Sequence, residues 1–563
     1  MDIKKVSDHF SVAGQLTVDD LAAVQAAGIK TLIGNRPDGE APGQVLNADI
    51  AKRARELGLA VHFVPVMQDT INSNDVNAFA HILTSAEQPV LAWCRSGARS
   101  LTLWSLAQIK GGGDSAPLVS LGNSLGYDFH TFTQKFAGVI AETTGGFAKY
   151  PVGQHCPVLI VGGGAAGIAL AASLLHRDST LQISIVEPSD KHYYQPGFTM
   201  VGGGIFSLAQ TRRETAGLIP AGVQWIKASV TNFLPEQAQV VLSDGTRLGY
   251  DRLCVCAGLK LNWGAVSGLQ ETLGKNGVTS NYSPELAPYT WELVQGLKHG
   301  KAVFTQPPMP IKCAGAPQKV LYLSADHWFD KGLLAKINVH FYNAGAVLFG
   351  VKDYVPALQS YIDKYKVHVH FSNNLVKVDG PGKVATFASA GADGQPQLTE
   401  VPFDMLHVCP PQCAPDFIRN SPLADRAGWV DVDQATLRHK KYANVWGLGD
   451  VTNTPNAKTA AAVRKQVPVV ADNLMADLQQ HPENAVYDGY GSCPLTVERG
   501  KIVLAEFGYG GKLLPTFPVW LLEGRKPTWL TWALKTYLLP WVYWHLMLRG
   551  WETLAAPQKK SEL

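Results

Sequence analysis

The sequence predicts an α/β protein of several domains: a small unit of alternating strands and helices, then tandem Rossmann-like halves, then a tail of short amphipathic helices. Three observations predict it. The N-terminal part alternates helix-period and strand-like runs around a cysteine-bearing loop, Cys94–Ser100. Val158–Val161 is a buried-type strand that runs into Gly162–Gly167 and a helical pattern. The final stretch turns sharply rich in tryptophan.

At 563 residues, with 46% hydrophobic and 17% charged, the chain is long and apolar enough for several packed cores. Its net charge of +3, with no basic stripe interleaved with aromatics, argues against nucleic acid as a partner. Met1–Phe10 lacks the apolar run of a secretory signal and the arginines of a transit peptide. The eight cysteines are therefore expected to be mostly reduced, so that any disulfide would be catalytic.

The first domain is placed at residues 1–140. Leu16–Gly28 has helical spacing and precedes the strand Ile29–Ile33; Asn47–Leu57 is a second helix, before the strand Ala60–Pro65. A third helix, Asn74–Leu83, leads to the strand Pro89–Trp93, the loop Cys94–Ser100 and the helix Leu101–Ile109. Strand, Cys/Arg loop and helix in that order make an anion cradle from loop amides and the helix N-terminus. The same field, with Arg95 and Arg99, favours a thiolate nucleophile at Cys94. Four residues separate Cys94 from Arg99, a shorter loop than phosphate-hydrolysing Cys loops use, which suits a sulfane sulfur better. Cys94–Ser100 resembles the active-site loop of rhodanese-like sulfurtransferases. The whole unit resembles the phosphatase-like domain called beta-lactamase-hydrolase-like, attached to sulfur-metabolism enzymes. The resemblance implies sulfur transfer by Cys94 with Arg99, or alternatively a protein-tyrosine-phosphatase-like hydrolysis. Gly111–Gly113 and Glu142–Gly146 bracket a weakly patterned segment, and the linker is placed at 141–155.

The second domain is placed at 156–510. Pro157–Val161, the fingerprint glycines Gly162, Gly164 and Gly167, the helix Ile168–His176 and the strand Leu181–Val186 ending at Glu187 form a dinucleotide-binding unit. The glycines let a pyrophosphate approach the helix N-terminus, and Glu187 can accept ribose hydroxyls. Tyr442–Asp450 reads as a strand ending in Gly449–Asp450, and Leu253–Gly258 as the strand returning to this sheet, which makes Cys254 and Cys256 structural. These marks resemble two-dinucleotide flavoproteins, in which such an Asp meets the ribityl chain, so the cofactor expected is FAD. In the insertion at about 270–400, Ala302–Thr305 is followed by Gln306–Pro310, with no glycine turn to cradle a nicotinamide dinucleotide. A thiol, Cys313, stands there instead, in Pro310–Lys319.

Several stretches are similar to the mitochondrial-type sulfide:quinone oxidoreductases: Val186–Pro196, the decapeptide around Cys313, Leu406–Val408, Ala427–Asp433, Lys458–Val463 and Tyr487–Leu495. The resemblance implies a fold with two Rossmann-like domains and sulfide attack on a cysteine disulfide or trisulfide beside FAD. It further implies that Cys313 attacks the flavin, that electrons pass to quinone, and that the sulfane sulfur leaves to a small thiol or sulfite. Lys458 and Thr459 are expected at the cofactor with Asp450. The resemblance also implies a second redox cysteine directly after Gly449–Asp450, but this chain has Val451 there. Cys409 and Cys413 are the nearest unusual thiols by sequence, and either is expected to replace it, unless both are incidental buried thiols.

Residues 511–563 hold Trp520, Trp529, Trp532, Trp541, Trp544 and Trp551, six of the chain's fourteen tryptophans. Trp529–Leu548 is apolar but interrupted by Lys535 and Pro540, which argues against a spanning helix. Short amphipathic helices in the interface, with Lys526, Lys535 and Arg549 at head-group level, fit better. The expectation is a monotopic, peripheral protein on the cytoplasmic face of a membrane, with homo-oligomers possible. Competing readings are an NADH:quinone-type flavin reductase and a non-catalytic, sulfide- or redox-sensing membrane adaptor.

Overall fold

The computed structural model describes residues 2–68, 70–110, 115–136, 139–140, 155–391 and 395–560. Gly111–Gly113 and the 141–154 part of the expected linker lie outside them. Two compact units result, residues 1–149 with 221–224, and 150–220 with 225–563.

The first unit is a five-stranded sheet. Its elements are β1 (Ile3–Lys5), β2 (Phe10–Ala13), α1 (Asp20–Ala26), β3 (Thr31–Gly34), α2 (Asn47–Glu56), β4 (Ala60–Phe63), α3 (Ser73–Ser85), β5 (Val90–Trp93) and α4 (Ala98–Lys110). Two helices follow, α5 (Ser115–Ser124) and α6 (Phe132–Lys135). The strand order is β1-β2-β5-β3-β4, with β2, β5, β3 and β4 parallel and β1 antiparallel at the edge. The strands β1 and β2 were not expected; three and four residues are too few to show a period. Gly28 and Gly58 end α1 and α2 in the left-handed region, where glycine carries no Cβ penalty.

The second unit opens with β6 (His155–Val161), α7 (Ala165–Arg177) and β7 (Ile183–Val186), in parallel with β8 (Arg247–Val255). These belong to a seven-stranded sheet. A second sheet is wholly parallel and runs Val278–Thr279, β11 (Met405–His407), β9 (Gly300–Gln306), β10 (Ile337–Asn343) and His368–Phe371. The helix α8 (Ala316–Asp330) follows β9. The chain returns to the first sheet through β12 (Val445–Gly447), which pairs in parallel with β8, and continues into α9 (Ala460–Leu478). An antiparallel hairpin, β13 (Gly491–Glu498) and β14 (Lys501–Phe507), lays Cys493, Leu495 and Val497 into the same core as Phe304, Val320 and Leu321. Both expected halves are present: the first sheet is mixed, parallel around β6, β7, β8 and β12 and extended by antiparallel strands at Gln239–Leu242 and Val230–Leu234, and the second is wholly parallel.

The tail is one interrupted helix: α10 (Trp529–Ala533), a π-helical turn over Leu534–Leu538, and α11 (Leu539–His545). Thr528 caps it by accepting from the Thr531 amide. No helix among the described residues is long and apolar enough to cross a membrane.

Candidate functional site

The glycine loop between β6 and α7 is tight for stated reasons. Gly162 has φ +107°, and a Cβ on it would meet the Cys256 carbonyl oxygen at 2.6 Å, at the end of β8. A Cβ on Gly167 would meet the Gly162 oxygen at 1.9 Å, so only glycine lets the helix come this close to the strand. Gly164, the N-cap of α7, has nothing within 4 Å of a Cβ position, which leaves the helix N-terminus open to an anion. Glu187, just past β7, accepts from the Gly163 amide at 2.8 Å and from the Ser189 amide at 2.8 Å. Asp450 follows β12, and its carboxylate takes no hydrogen bond from the chain among the described residues. Burial raises its pKa against the pull of Lys458 and Lys312. A half-buried carboxylate left without a donor in the chain fits a ligand hydroxyl.

Lys458 and Thr459, expected at the cofactor with Asp450, are both engaged within the chain beside it. The Lys458 amine donates to the carbonyl oxygens of Asp450 (2.8 Å) and Thr452 (2.7 Å) and lies 4.1 Å from the centre of the Trp429 ring. Burial brings its pKa down to about 8. Its ammonium thus shapes the Asp450 loop. Thr459 caps α9 by accepting from the Ala462 amide at 3.1 Å.

This segment is bridged to the one that carries Cys313, whose amide donates to the Lys458 carbonyl oxygen at 2.8 Å. Cys313 is held at φ +51°, a costly conformation for a residue with a Cβ, of the kind that clusters at functional sites. Its Sγ lies 2.9 Å from Cys493 Sγ and accepts from Lys319 Nζ at 2.9 Å. The hydrogen bond from Cys493 and the neighbouring ammoniums of Lys319 and Lys535 hold the Cys313 pKa well below the ordinary thiol range, overcoming burial. The Cys493 thiol is pushed well up, by its bond to Cys313 and by burial. The proton therefore rests on Cys493 and Cys313 is the thiolate. Lys319 is buried on α8; desolvation works to lower its pKa, but the two sulfurs raise it overall. Gly315 permits this packing, because a Cβ there would meet Leu495 at 2.2 Å. The N-terminal turn of α8, where a second dinucleotide would be bound, is thus covered by the β13 hairpin and its thiol.

Neither Cys409 nor Cys413 is brought to Cys313. Cys409 is buried with Ile311 and Tyr282; its sulfur meets the Tyr282 hydroxyl, with the Pro410 carbonyl and the Gln412 amide each at 3.9 Å, and it interacts with Cys313 through charge alone. Cys413 lies on a two-residue strand paired to Lys260–Leu261. The thiol beside Cys313 is Cys493, and Val451 is a fully buried loop residue. The sequence signal for Cys493 was its place in Ser492–Cys493–Pro494, within one of the matching stretches. It was missed because 180 residues separate it from Cys313. Cys254 and Cys256 are buried and shifted up by desolvation, consistent with structural roles.

Lys535 also departs from expectation. It is 4% exposed rather than at the surface, and burial brings its pKa down to about 7 against the pull of Cys313 and Cys493. The π-helical turn re-aims it inward. Around it Trp520, Trp529, Tyr537, Trp541 and Trp551 are exposed, as are Leu530 and Leu538, whereas Trp544 packs inside against Tyr194 and His192.

In the first unit Cys94 follows β5, wholly buried, and its sulfur accepts from the Gly97 amide at 3.1 Å. Gly97 has φ +94°, and a Cβ there would meet the Tyr127 hydroxyl at 2.3 Å. Arg99, in the first turn of α4, donates to the Val66 carbonyl oxygen at 2.7 Å and pairs with Glu40 at 2.7 Å. Arg95 is exposed.

Residues 2–111 match the family model described as beta-lactamase hydrolase-like protein, phosphatase-like domain. The rest of the chain is similar to the mitochondrial sulfide:quinone oxidoreductase of Dictyostelium discoideum, 44% identical over 414 residues, covering 72% of this chain and 90% of that protein. The corresponding protein of Mus musculus is 40% identical over 398 residues, covering 71% and 87%. Among solved structures, the sulfide:quinone oxidoreductase of the hyperthermophilic bacterium Aquifex aeolicus superposes with a TM-score of 0.59 at 18% identity, covering 71% of this chain and 92% of that one. That likeness concerns the fold.

Proposed function

The chain belongs to the sulfide:quinone oxidoreductase family, and from that premise we propose that it oxidises sulfide with FAD, reduces a quinone, and delivers the sulfane sulfur to a small thiol or sulfite. The observation that carries the proposal is the 2.9 Å approach of Cys313 and Cys493, with Lys319 at 2.9 Å from Cys313. Losing two electrons and the Cys493 proton, the thiol–thiolate pair would close to disulfide length, about 2.05 Å.

Hydrosulfide attacks Cys493 Sγ of that disulfide, forming a Cys493 persulfide and expelling Cys313 with the electron pair of the broken S–S bond. Attack in this direction is favoured because the thiol with the lower pKa leaves faster. Lys319 and Lys535 neutralise the charge that develops on Cys313. The acceptor thiolate then takes the outer sulfur from Cys493, whose thiolate rejoins Cys313 as two electrons leave the pair. FAD, when bound, supplies the two-electron sink and the onward path to quinone. Gly162, Gly164 and Gly167 would face its pyrophosphate, Glu187 its ribose and Asp450 its ribityl hydroxyls, while Lys458 and Thr459 shape the loop and the helix end beside them.

The exposed apolar residues of the tail support seating on a membrane surface, where a lipid-soluble quinone is within reach. The first unit is read as a sulfurtransferase, with Cys94 as the sulfur-carrying nucleophile. The test is anaerobic: sulfide bleaches the flavin of the wild-type protein, and Cys493→Ser and Cys313→Ser fail to bleach at catalytic rates. Full-rate bleaching in either variant sinks the mechanism.

A further inference from the structure

The parallel strands of the first unit gather chemistry at one edge. Past their carboxyl ends lie Gln15 after β2, Asn35, Arg36 and Glu40 after β3, Val66 after β4 and Cys94 after β5. Arg36 and Arg99 are both 6% exposed, and one carboxylate serves them. Glu40 Oε2 accepts from Arg36 Nε at 2.5 Å, and both its oxygens face Arg99 Nη2, at 2.7 and 2.9 Å. Arg99 Nη1 is committed to the Val66 carbonyl oxygen. Arg36 Nη1 donates to Gln15 Oε1 at 3.0 Å. Both arginines nearest this edge are thus tied down before any ligand arrives. Its buried oxygens, Asn35 Oδ1 and Ser100 Oγ, have no partner.

A phosphoryl dianion at a Cys loop is held by the loop arginine through two parallel charge-assisted hydrogen bonds. Here both terminal nitrogens of that arginine already have acceptors at 2.7 Å, and one of the acceptors is a carboxylate. Glu40 thus cancels one of the two buried guanidinium charges at the edge, while Arg95, on the same loop, is exposed to solvent.

We propose that Glu40 determines what the Cys94 loop accepts: by holding Arg99 it withholds that guanidinium from phosphate groups and leaves Cys94 to exchange a sulfane sulfur carried on an organic thiol. The proposal rests on reading Cys94 as a sulfur-carrying nucleophile and adds the residue that sets its substrate class. In the step itself, the Cys94 thiolate attacks the outer sulfur of an organic persulfide, R–S–SH. A Cys94 persulfide forms, the original S–S bond breaks, and R–S⁻ leaves with its electron pair, so no external oxidant or reductant is needed.

The test uses the full chain and follows Cys94 by peptide mass spectrometry. Alkylation of wild-type Cys94 by iodoacetamide is expected to be indifferent to inorganic phosphate at constant ionic strength, and p-nitrophenyl phosphate is not turned over. In Glu40→Gln, phosphate is expected to protect Cys94 with an affinity about tenfold or more above wild type, the worth of one charge-assisted hydrogen bond regained. Glu40→Asp, which keeps the charge but shortens the reach to Arg99, should fall between the two. Protection of wild-type Cys94 by phosphate overturns the proposal without any variant, and so does an unchanged phosphate affinity in Glu40→Gln. Glutathione persulfide is the sulfur probe: wild-type Cys94 should gain the mass of one sulfur atom. If it gains none, the sulfurtransferase reading falls, whatever phosphate does in the variant.

Discussion

At the scale of single residues, charge placement decides the chemistry. Cys313 is a thiolate because a thiol donates to it and two buried lysines face it, and one of those lysines titrates near neutrality. Lys535 carries its charge below about pH 7 and loses it as pH rises through that value. Stabilisation of the Cys313 thiolate from this source fades above pH 7, so kcat/KM for sulfide should show a limb there that Lys535→Met removes. Stability runs the other way. The unfolded chain keeps this proton up to about 10.5 and the folded chain only to about 7, so native stability from this group rises with pH between the two. Lys535→Met should therefore melt above wild type, by a margin largest below pH 7 and shrinking toward pH 10. A melting curve series across that range checks the sign. Cys409→Ser and Cys413→Ser should each retain full sulfide-dependent quinone reduction, because the sulfur hydrogen-bonded to Cys313 is that of Cys493. Loss of activity in either would restore a sulfur role for that residue.

At the scale of elements, the β13–β14 hairpin and the tail each carry one part of the site to a place its sequence neighbours do not reach. The hairpin delivers Cys493 over the N-terminal turn of α8. The interrupted tail helix turns Lys535 inward and leaves Trp529, Tyr537, Leu538 and Trp541 outward. A stripe of this kind gains by entering a lipid interface, where aromatic rings are at home. Replacing Trp529, Tyr537 and Trp541 together by Ser should reduce co-sedimentation with phospholipid vesicles about tenfold or more, since burying each ring contributes about 1 kcal/mol or more. Flavin bleaching by sulfide should persist, because none of the three is part of the thiol pair. Vesicle binding at the wild-type level would sink the interfacial role of the tail.

At the scale of the whole molecule, two sheet-and-helix halves divide the labour: one presents an open helix N-terminus at Gly164, and the other has its corresponding turn covered by Leu495 and Cys493. A flavoprotein so built should be bleached by sulfide and not by NADH. Rapid bleaching by NADH under anaerobic conditions would favour the reductase reading instead.

Much of this was legible in the sequence because it is local. The glycine loop, Glu187 and the Cys94 loop lie within short segments whose local pattern marks them, whereas Asp450 and Cys313 stood out through the resemblance of the short segments around them to a known family. The order of strands and helices in the first unit was legible for the same reason, apart from β1 and β2, too short for a period. Tertiary structure decided what depends on distant segments meeting. Cys493 comes from a hairpin far along the chain, and Lys535 faces inward because of a π turn. Lys458 spends its amine on backbone carbonyls, and Glu40 reaches Arg99 across the edge of a sheet. A sequence states which groups exist and which local conformations they permit. Only packing settles which two sulfurs come within 2.9 Å and which charges share a buried site, because the energies that select thiolate, thiol or ion pair fall off over a few ångströms of actual separation.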